Sequence, residues 1–314
     1  MTVPLEPTVP LEPTVPPEPT APPEPTVLPE PTAPSEPIVP PEPTAPPEPV
    51  VSRGPTAPHY VPPHNLLTAK TVAVTAAAGT GIGAAVARRC LEEGARVVVS
   101  DHHERRLEET RAALAAEFGA DAVHAIVCDV TREDQVQALI EGAADRLGRL
   151  DVLINNAGLG GTASVLDMTD EQWLRVLDVT LTGTFRCTRA ALRRMRDQGT
   201  GGAIVNNASV IGWRAQEGQA HYAAAKAGVM ALTRCSALDA APYGVRVNAV
   251  APSLAMHPFL AKVTTDELLA ELTAREAFGR AAEPWEVANA MVFLASDYAS
   301  YLTGEVLSVS SQHA

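Results

Sequence analysis

Seven apolar runs of strand length alternate with amphipathic stretches of helix length from Leu66 onward. The predicted strands are Thr71–Thr75, Arg96–Ser100, Ala122–Cys128, Val152–Asn155, Ala203–Asn207, Val245–Val250 and Val306–Val309. The predicted helices are Ala84–Glu93, Glu104–Phe118, Glu133–Leu147, Asp170–Arg196, His221–Ala240 and Trp285–Ser296. Nearly continuous apolar strands separated by helices are typical of a parallel sheet covered on both faces. We therefore predict an α/β fold, a doubly wound parallel sheet in one domain.

The N-terminal region has a different composition. Residues 2–49 are eight copies of a six-residue unit such as T-V-P-L-E-P or T-A-P-P-E-P. Proline at this density excludes helix and central strand and favours polyproline II, which places the glutamates on one edge. The tail holds eight of the thirteen net negative charges, so the remainder is only mildly acidic and has no nucleic-acid footprint. We predict a low-complexity tail over residues 1–64, polyproline II or disordered, and a folded domain over 65–314.

This tail has three interpretations. We favour a solvated, semi-rigid spacer. A docking segment for a proline-binding partner of unknown identity, or an extension that the mature protein lacks, are the alternatives. No signal peptide is visible, because the first residues lack a basic start and an apolar core, and no run is long enough to span a bilayer. The sequence therefore predicts a cytoplasmic protein without a membrane segment.

The four cysteines show no C-x-x-C spacing, and each lies in an apolar helix or strand pattern. They are Cys90, Cys128, Cys187 and Cys235. This pattern favours buried free thiols over a metal site.

A glycine-rich turn, T-A-A-A-G-T-G-I-G, joins the first predicted strand to the first helix. Glycines let the backbone approach a pyrophosphate closely, and the free N–H groups of a helix N-terminus attract the anion. An ordinary tight loop would also use glycines, but the strand–turn–helix context favours a dinucleotide site. The residues assigned to it are Gly79, Thr80, Gly81, Ile82 and Gly83.

The second predicted strand is followed by Asp101, about twenty residues beyond the glycines. A carboxylate there accepts hydrogen bonds from the adenosine ribose and repels a 2′-phosphate, which predicts NAD as the cofactor. Arg105 and Arg106, in the next helix, keep NADP open as the less favoured cofactor.

Two further strand ends supply cofactor candidates. Asp129 and Val130 close the third strand, where they could reach an adenine ring or cap the following helix. The fourth strand runs into N-N-A-G, whose amides and glycine suit a ribose and a closely approaching ligand. We assign Asn156, Ala157 and Gly158 to this part of the site.

An acid–base site is outlined by Ser209, Tyr222 and Lys226. Tyr222 and Lys226 are four residues apart, so they share one face of a helix, and Ser209 follows an apolar run thirteen residues before the tyrosine. A neighbouring ammonium lowers the pKa of a phenol, so we predict that Lys226 activates Tyr222 and that Ser209 hydrogen-bonds the same substrate oxygen. Each residue alone has an ordinary structural explanation, whereas the set favours catalysis.

Together these motifs, in this order, resemble the short-chain dehydrogenase/reductase family over essentially all of residues 66–314. The resemblance implies a Rossmann-type seven-stranded sheet and an NAD(P)-dependent oxidoreductase acting on CH–OH donors. It implies that Tyr222 is the general acid–base, that Lys226 lowers its pKa and holds the nicotinamide ribose, and that Ser209 orients the substrate. It also implies a cofactor contact at Ala255 and a homodimer or homotetramer built on the two long helices.

Finer stretches, including N-N-A-S-V-I-G-W-R-A-Q and E-A-F-G-R-A-A-E-P-W-E-V, resemble one actinobacterial branch of that family. The branch acts in steroid ring C/D catabolism on a hydroxy-indane-propanoyl-CoA. The resemblance implies a small-molecule substrate, a CoA thioester with a secondary alcohol that is oxidised to a ketone with NAD.

The chain departs from the family pattern at several positions. An alanine, at 76 or 77, replaces the first glycine of the turn, which predicts a reshaped pyrophosphate loop. Thr180 occupies the position of the family's helix asparagine, which puts the proton relay in doubt. His257 stands where a threonine often holds the carboxamide.

Residues 253–283 predict a substrate lid with a short helix, Thr265–Glu276, because loops of that length are usually functional. On the substrate side, Arg214 could bind a carboxylate or a CoA phosphate, or form a surface ion pair.

Two other functions stay open at the level of the sequence. One is an NADPH-dependent 3-oxoacyl-thioester reductase with the same catalytic residues, against which Asp101 argues. The other is a non-catalytic nucleotide-binding protein whose tail docks partners, against which the intact catalytic set argues.

Overall fold

The computed structural model describes residues 58–256 and 266–311. The chain divides into two units, Met1–Ser52 and Arg53–Ala314. The first unit lies outside the described residues, so the interpretations of the tail stay predictions. Everything below concerns the second unit.

Seven strands form one sheet in the order β3-β2-β1-β4-β5-β6-β7, and every pairing is parallel. They are β1 Thr71–Val74, β2 Arg96–Asp101, β3 Val123–Val127, β4 Val152–Asn155, β5 Gly202–Asn207, β6 Val245–Pro252 and β7 Val306–Val309. The direction of winding reverses between β1 and β4, so the loops after these two strands border one crevice at the carboxyl edge. The predicted Rossmann-type sheet is confirmed.

Eight helices cover this sheet within the described ranges. They are α1 Ile82–Glu92, α2 Glu104–Phe118, α3 Glu133–Leu147, α4 Asp170–Leu177, α5 Gly183–Gln198, α6 Ala220–Ala240, α7 Asp266–Arg275 and α8 Pro284–Ala295. A π turn, Asp178–Thr182, joins α4 to α5 within what the sequence predicts as one helix. The predicted lid helix corresponds to α7, and residues 257–265 before it lie outside the described residues.

The sheet is buried on both faces, as its apolar strands require. Along β1, Val72 and Val74 join a cluster with α1 and α8, whereas Ala73 between them joins a second cluster with α3 and α5. This alternation follows from the period of two in a strand. Two helical layers therefore hold the strand ends rigidly, and with them the loops that build the crevice.

A segment ahead of β1, residues 60–66, packs against α1 and α8. The carboxylate of Glu93, at the end of α1, accepts hydrogen bonds from the backbone N–H groups of His64 and Leu66, both at 2.9 Å. Arg89 donates to the carbonyl of Val61 at 2.6 Å, and the ring of Tyr60 packs edge-on against Trp285 with 5.1 Å between centroids. Within the described residues, contacts with the domain thus extend at least as far as Tyr60.

The cysteine prediction is partly wrong. Cys90, Cys128 and Cys187 are buried free thiols, but Cys235 is exposed, because its position on α6 faces away from the sheet. In the part of the chain that the structure describes, no group of three or more His, Cys, Asp or Glu side chains is arranged to hold a metal ion. Over the same residues, no helix has the length and apolarity needed to cross a bilayer.

Candidate active site

The three catalytic candidates meet where β5 ends against α6. Ser209 follows β5 and caps a single helical turn, Val210–Gly212, with its Oγ accepting from the N–H of Ile211 at 3.2 Å. This turn lies flat on α6, since a Cβ at Gly212 would come within 3.0 Å of the backbone of Lys226 and Ala227. The close approach brings Ser209 next to the phenol of Tyr222, whose pKa it influences.

Lys226 lies one helical turn after Tyr222 and is 3 % exposed. Its Nζ stands 5.5 Å from the centroid of the Tyr222 ring and donates to the carbonyl oxygen of Asn207. Burial lowers the pKa of Lys226 to about 8. The ammonium is therefore held beside the phenol, at the position that the helical spacing predicts.

The predicted direction of the pKa of Tyr222 is wrong for this structure. Burial raises this pKa above its ordinary value, and only the neighbouring hydroxyl of Ser209 opposes the rise. Burial also disfavours the charge on the neighbouring Lys226, whose pKa falls to about 8. At neutral pH the phenol is consequently protonated, the state that donates a proton.

The glycine turn leaves open space in front of the N-terminus of α1. A Cβ at Gly79 or Gly81 would meet nothing within 4 Å, whereas one at Gly83 would lie 2.2 Å from the carbonyl oxygen of Ala76. Helix α1 begins after Gly81 without a side-chain cap and without an acidic residue in its first turn. Its free N–H groups therefore face an empty space suited to an anion.

Ala76 is one of the two alanines that could take the place of the family's first glycine. Its φ is +49°, in the left-handed region that glycine favours, whereas Ala77 is fully buried in the core and donates its N–H to the carbonyl of Ser100 at 2.9 Å. The turn keeps the glycine-like conformation despite the side chain. Whether the pyrophosphate loop is reshaped relative to the family stays a prediction.

A chain of amides links the catalytic lysine to the glycine turn across three strand ends. Lys226 donates to the carbonyl of Asn207, whose Nδ2 donates to Oδ1 of Asn156 at 3.0 Å. The Nδ2 of Asn156 in turn donates to the carbonyl of Ala76 at 3.0 Å. The side chain of Asn156 is thus engaged by the protein, as is the N–H of Ala157, which donates to Oγ1 of Thr75 at 3.1 Å.

Gly158 lies beside the catalytic lysine. A Cβ on it would stand 3.5 Å from Nζ of Lys226 and 3.8 Å from Oγ1 of Thr180. The hydroxyl of Thr180 accepts from the N–H of Leu159 at 2.9 Å and donates to its carbonyl at 3.0 Å. Thr180 therefore fastens the loop after β4 to the π turn.

Asp101 is buried at the end of β2, next to the glycine turn. Its carboxylate accepts from the N–H groups of Ala78 at 3.4 Å and His103 at 3.0 Å, and burial raises its pKa. Arg105 pairs with Glu109, whereas Arg106 lines a cleft of about 490 Å³ that also touches Gly79 and Thr80.

The other cofactor candidates are placed around the same edge of the sheet. Asp129 accepts from the N–H and hydroxyl of Thr131, so it holds a turn and is not the residue that caps α3. Val130 is buried against Gly183 of α5, and Ala255 is buried in a bridge with Ala282. His257 lies outside the described residues.

Sequence reasoning missed the role of Asn207 and of two glycines. A Cβ at Gly160 would lie 3.7 Å from the Tyr222 ring, and one at Gly161 would lie 3.3 Å from Nε2 of His221, so this loop packs on the start of α6. The signal for Asn207 was present in the repeated N-N pair, because Asn155 and Asn206 are partners in the register of β4 and β5.

Comparison with known proteins agrees with this geometry. A family model described as enoyl-(acyl carrier protein) reductase matches residues 76–311. A crystal structure of a short chain dehydrogenase from Mycobacterium smegmatis superposes with a TM-score of 0.74 and 60 % identity, covering 82 % of this chain and 99 % of that one. The chain belongs to the short-chain dehydrogenase/reductase family. It is accordingly an NAD(P)-dependent oxidoreductase, as the sequence predicts.

Two curated members of the family are informative. A protein of Mycobacterium tuberculosis, (5R,7aS)-5-hydroxy-7a-methyl-1-oxo-2,3,5,6,7,7a-hexahydro-1H-indene-carboxyl-CoA reductase, is 68 % identical over 250 residues, 80 % of this chain and 95 % of that protein. Cis-4-hydroxycyclohexanecarboxylate dehydrogenase of Sinomonas cyclohexanicum is 45 % identical over 242 residues, 77 % of this chain and 95 % of that protein. The predicted resemblance to the steroid-catabolic branch is confirmed.

Proposed function

We propose that this oxidoreductase interconverts a ring alcohol and its ketone on a CoA thioester, with NAD as the cofactor. The observation that carries the proposal is the meeting of Ser209, Tyr222 and Lys226 at one crevice, with Lys226 joined by amides to the glycine turn. The residues proposed for proton transfer and those proposed for dinucleotide binding thereby lie next to each other at the same edge of the sheet.

The dinucleotide would be held by the residues that line the crevice. The N-terminus of α1 and the open faces of Gly79 and Gly81 suit the pyrophosphate. Asp101 suits the adenosine ribose, and Gly158, beside Lys226, suits the nicotinamide ribose. When bound, the nicotinamide accepts a hydride from the alcohol or gives one to the ketone.

The side chains of this protein would handle the proton. In ketone reduction, the protonated phenol of Tyr222 donates to the substrate oxygen as the carbonyl carbon is reduced, and in oxidation the phenolate takes the alcohol proton. Ser209 hydrogen-bonds the same oxygen and fixes its position. Lys226 stabilises the phenolate by its charge once Tyr222 has lost its proton.

A direct assay with purified protein tests this function. Ring alcohols and their CoA thioesters are offered with NAD⁺, and formation of the reduced cofactor is followed by absorbance. We expect turnover that Tyr222→Phe reduces by at least 100-fold, because the phenol oxygen is lost while its packing is kept. Full activity in Tyr222→Phe would refute the catalytic assignment.

The substrate class rests on the relatives. The names of the two curated relatives describe a six-membered ring bearing a hydroxyl and an acyl or carboxylate group. These names support a ring-hydroxylated acyl-CoA for this chain as well. The assay distinguishes the thioester from the free acid by comparing kcat/KM for each.

NADP is the alternative cofactor, and Arg106 is the observation that favours it. Arg106 lines the cleft beside the glycine turn, where a cation could meet a 2′-phosphate. Asp101 disfavours NADP, because its carboxylate lies at the carboxyl end of β2 beside the same glycine turn and would repel a 2′-phosphate. We expect kcat/KM to be higher with NAD⁺ than with NADP⁺, and the reverse order would favour the NADPH-dependent thioester reductase.

We further propose that the protein assembles as a homodimer or homotetramer through α4, α5 and α6. These helices carry exposed apolar side chains, among them Leu174 at 62 %, Phe185 at 40 % and Leu238 at 77 %. Apolar patches of this kind mark interfaces. Light scattering on wild type and on Leu238→Glu tests this assembly, and a monomeric wild type would contradict it.

A further inference from the structure

Arg214 is an arginine whose charge the described residues do not neutralise. It lies between the turn that Ser209 caps and the start of α6, five residues after the serine and eight before Tyr222. Its Nη1 is buried without a hydrogen-bond partner, and its side chain forms no ion pair within the described ranges. Other partly buried arginines differ, since Arg280 holds both carboxylate oxygens of Glu286 at 2.6 and 2.8 Å.

A guanidinium with a buried N–H group and no ion pair is a candidate to bind an anion. Arginine does not lose its proton in proteins, so burial cannot neutralise the group as it does for lysine. A buried N–H without an acceptor is costly, and a bound anion or water is one of the explanations for such a group in a native structure. Carboxylates and phosphates are the partners whose geometry matches the guanidinium fork.

The loop that carries Arg214 is fixed on the substrate side of the fold. The carbonyl of Gly218 accepts from the N–H of Ala163 at 3.0 Å, and Gln219 donates to Thr162 at 3.2 Å. Next to Arg214, a cleft of about 370 Å³ opens between 163–165, 215–218 and the first turns of α6. Alanine and glycine side chains in its walls leave room for the acyl part of a ligand, and the lining also includes the carboxylate of Glu217. Arg214 adjoins this cleft through Ala215 and is not itself part of the lining.

We propose that Arg214 binds an oxyanion of the substrate, a carboxylate or a phosphate, and thereby selects anionic alcohols over neutral ones. This inference rests on the proposed function, because it assigns a group of the substrate to a residue next to the catalytic pair. Arg214 then acts in binding, while Tyr222 and Ser209 act on the reacting oxygen.

Kinetics on a series of related substrates tests the selection. The series is 4-hydroxycyclohexanecarboxylate, its CoA thioester, its neutral pantetheine thioester and cyclohexanol. We expect Arg214→Gln to raise KM for the anionic members, relative to cyclohexanol, by about 10- to 100-fold, because a charge-assisted hydrogen bond is lost. Arg214→Lys keeps the charge, and its KM values for the anionic substrates are expected to lie between those of the wild type and those of Arg214→Gln. Arg146→Gln, at the far end of α3, is the charge-matched control.

The pattern of KM values identifies the oxyanion. A rise for the CoA thioester without one for the pantetheine thioester assigns the phosphates, and a rise for the free acid assigns the carboxylate. A proportional rise for all four substrates would overturn the proposal, as would a change in assembled mass on light scattering of Arg214→Gln.

A binding measurement separates this inference from the proposed activity. Trp213 is 50 % exposed next to Arg214, so its fluorescence reports ligand binding without turnover. The Tyr222→Phe protein, saturated with NAD⁺, is titrated with coenzyme A and with cyclohexanecarboxylate, and Trp213→Phe identifies the signal. We expect Arg214→Gln to weaken at least one Kd by about 10-fold or more. Equal Kd values with and without the arginine would overturn the inference even if the enzyme is active.

Discussion

The Nζ of Lys226 donates to the carbonyl oxygen of Asn207, so this buried lysine is anchored to the backbone of β5 rather than to a side chain. The side chain of Asn207 simultaneously bridges to Asn156. One residue therefore positions both this cation and the amide that holds the glycine turn.

Lys226→Met is expected to abolish activity while stabilising the fold at neutral pH. Because the pKa of Lys226 falls from 10.5 to about 8 on folding, the unfolded chain binds more protons between these values, and stability rises with pH across that window. Below pH 8 the buried charge of Lys226 lowers the free energy of unfolding by its full amount, up to about 3 kcal/mol. The variant removes this penalty but leaves the carbonyl of Asn207 without its donor, so a net gain of about 1 to 2 kcal/mol is expected.

Thermal unfolding from pH 6.5 to 10 measures this effect. The difference in stability between Lys226→Met and wild type should shrink as the pH approaches 10. A difference that is constant over the range would show that burial of the charge is not its origin.

Gly81→Ala should impair cofactor binding, whereas Gly83→Ala should reduce the stability of the fold. A methyl group at Gly81 meets open space at a φ of −85°, so the fold should keep its Tm while KM for the cofactor rises by about 10-fold or more. A methyl group at Gly83 meets the carbonyl of Ala76 and the amide of Asn156, so unfolding should become easier by about 3 kcal/mol. Calorimetry and cofactor titration together separate the two cases, and a large loss of Tm in Gly81→Ala would contradict the open-space assignment.

Ala76→Gly should stabilise the protein. The left-handed backbone at φ +49° costs a Cβ-bearing residue about 1 to 2 kcal/mol, which glycine avoids at the expense of about 0.5 to 1 kcal/mol of chain entropy. A net gain of about 0.5 to 1 kcal/mol in the free energy of unfolding is expected. Ala77→Gly is the matched control and should destabilise, because Ala77 is buried and its backbone φ is negative.

The segment ahead of β1 should contribute measurably to stability. A chain beginning at residue 67 leaves the buried carboxylate of Glu93 without its two backbone donors and Arg89 without its carbonyl acceptors. Compared with a chain beginning at residue 58, it should lose about 3 kcal/mol. Chemical denaturation of the two chains measures the difference, and equal midpoints would refute a structural role for the segment.

The sheet was predictable because its strands are buried on both faces. Every residue of β1 and β4 is buried, so their apolar runs are continuous and their ends fall within one residue of prediction. The glycine turn after β1 and the spacing of Tyr222 and Lys226 were predictable because a short sequence separation places each of them on one loop or one helix.

What escaped prediction depends on contacts between distant residues. The π turn at Asp178–Thr182 has ordinary helix-compatible residues, and only its packing against the loop after β4 distinguishes it. The raised pKa of Tyr222 follows from the depth of the site, which spacing alone does not reveal. The packing of residues 60–66 against the domain was not predicted, because their composition resembles the proline-rich region before them.

Thr180 bears on how this enzyme could be redesigned. Its hydroxyl makes two hydrogen bonds to one residue, Leu159, and the loop that follows covers Tyr222 at Gly160. A larger amide at this position has to displace that loop in order to fit. Introducing the family's asparagine by itself would consequently shift the loop that covers the phenol, so a redesign has to exchange position 180 and the loop after β4 together.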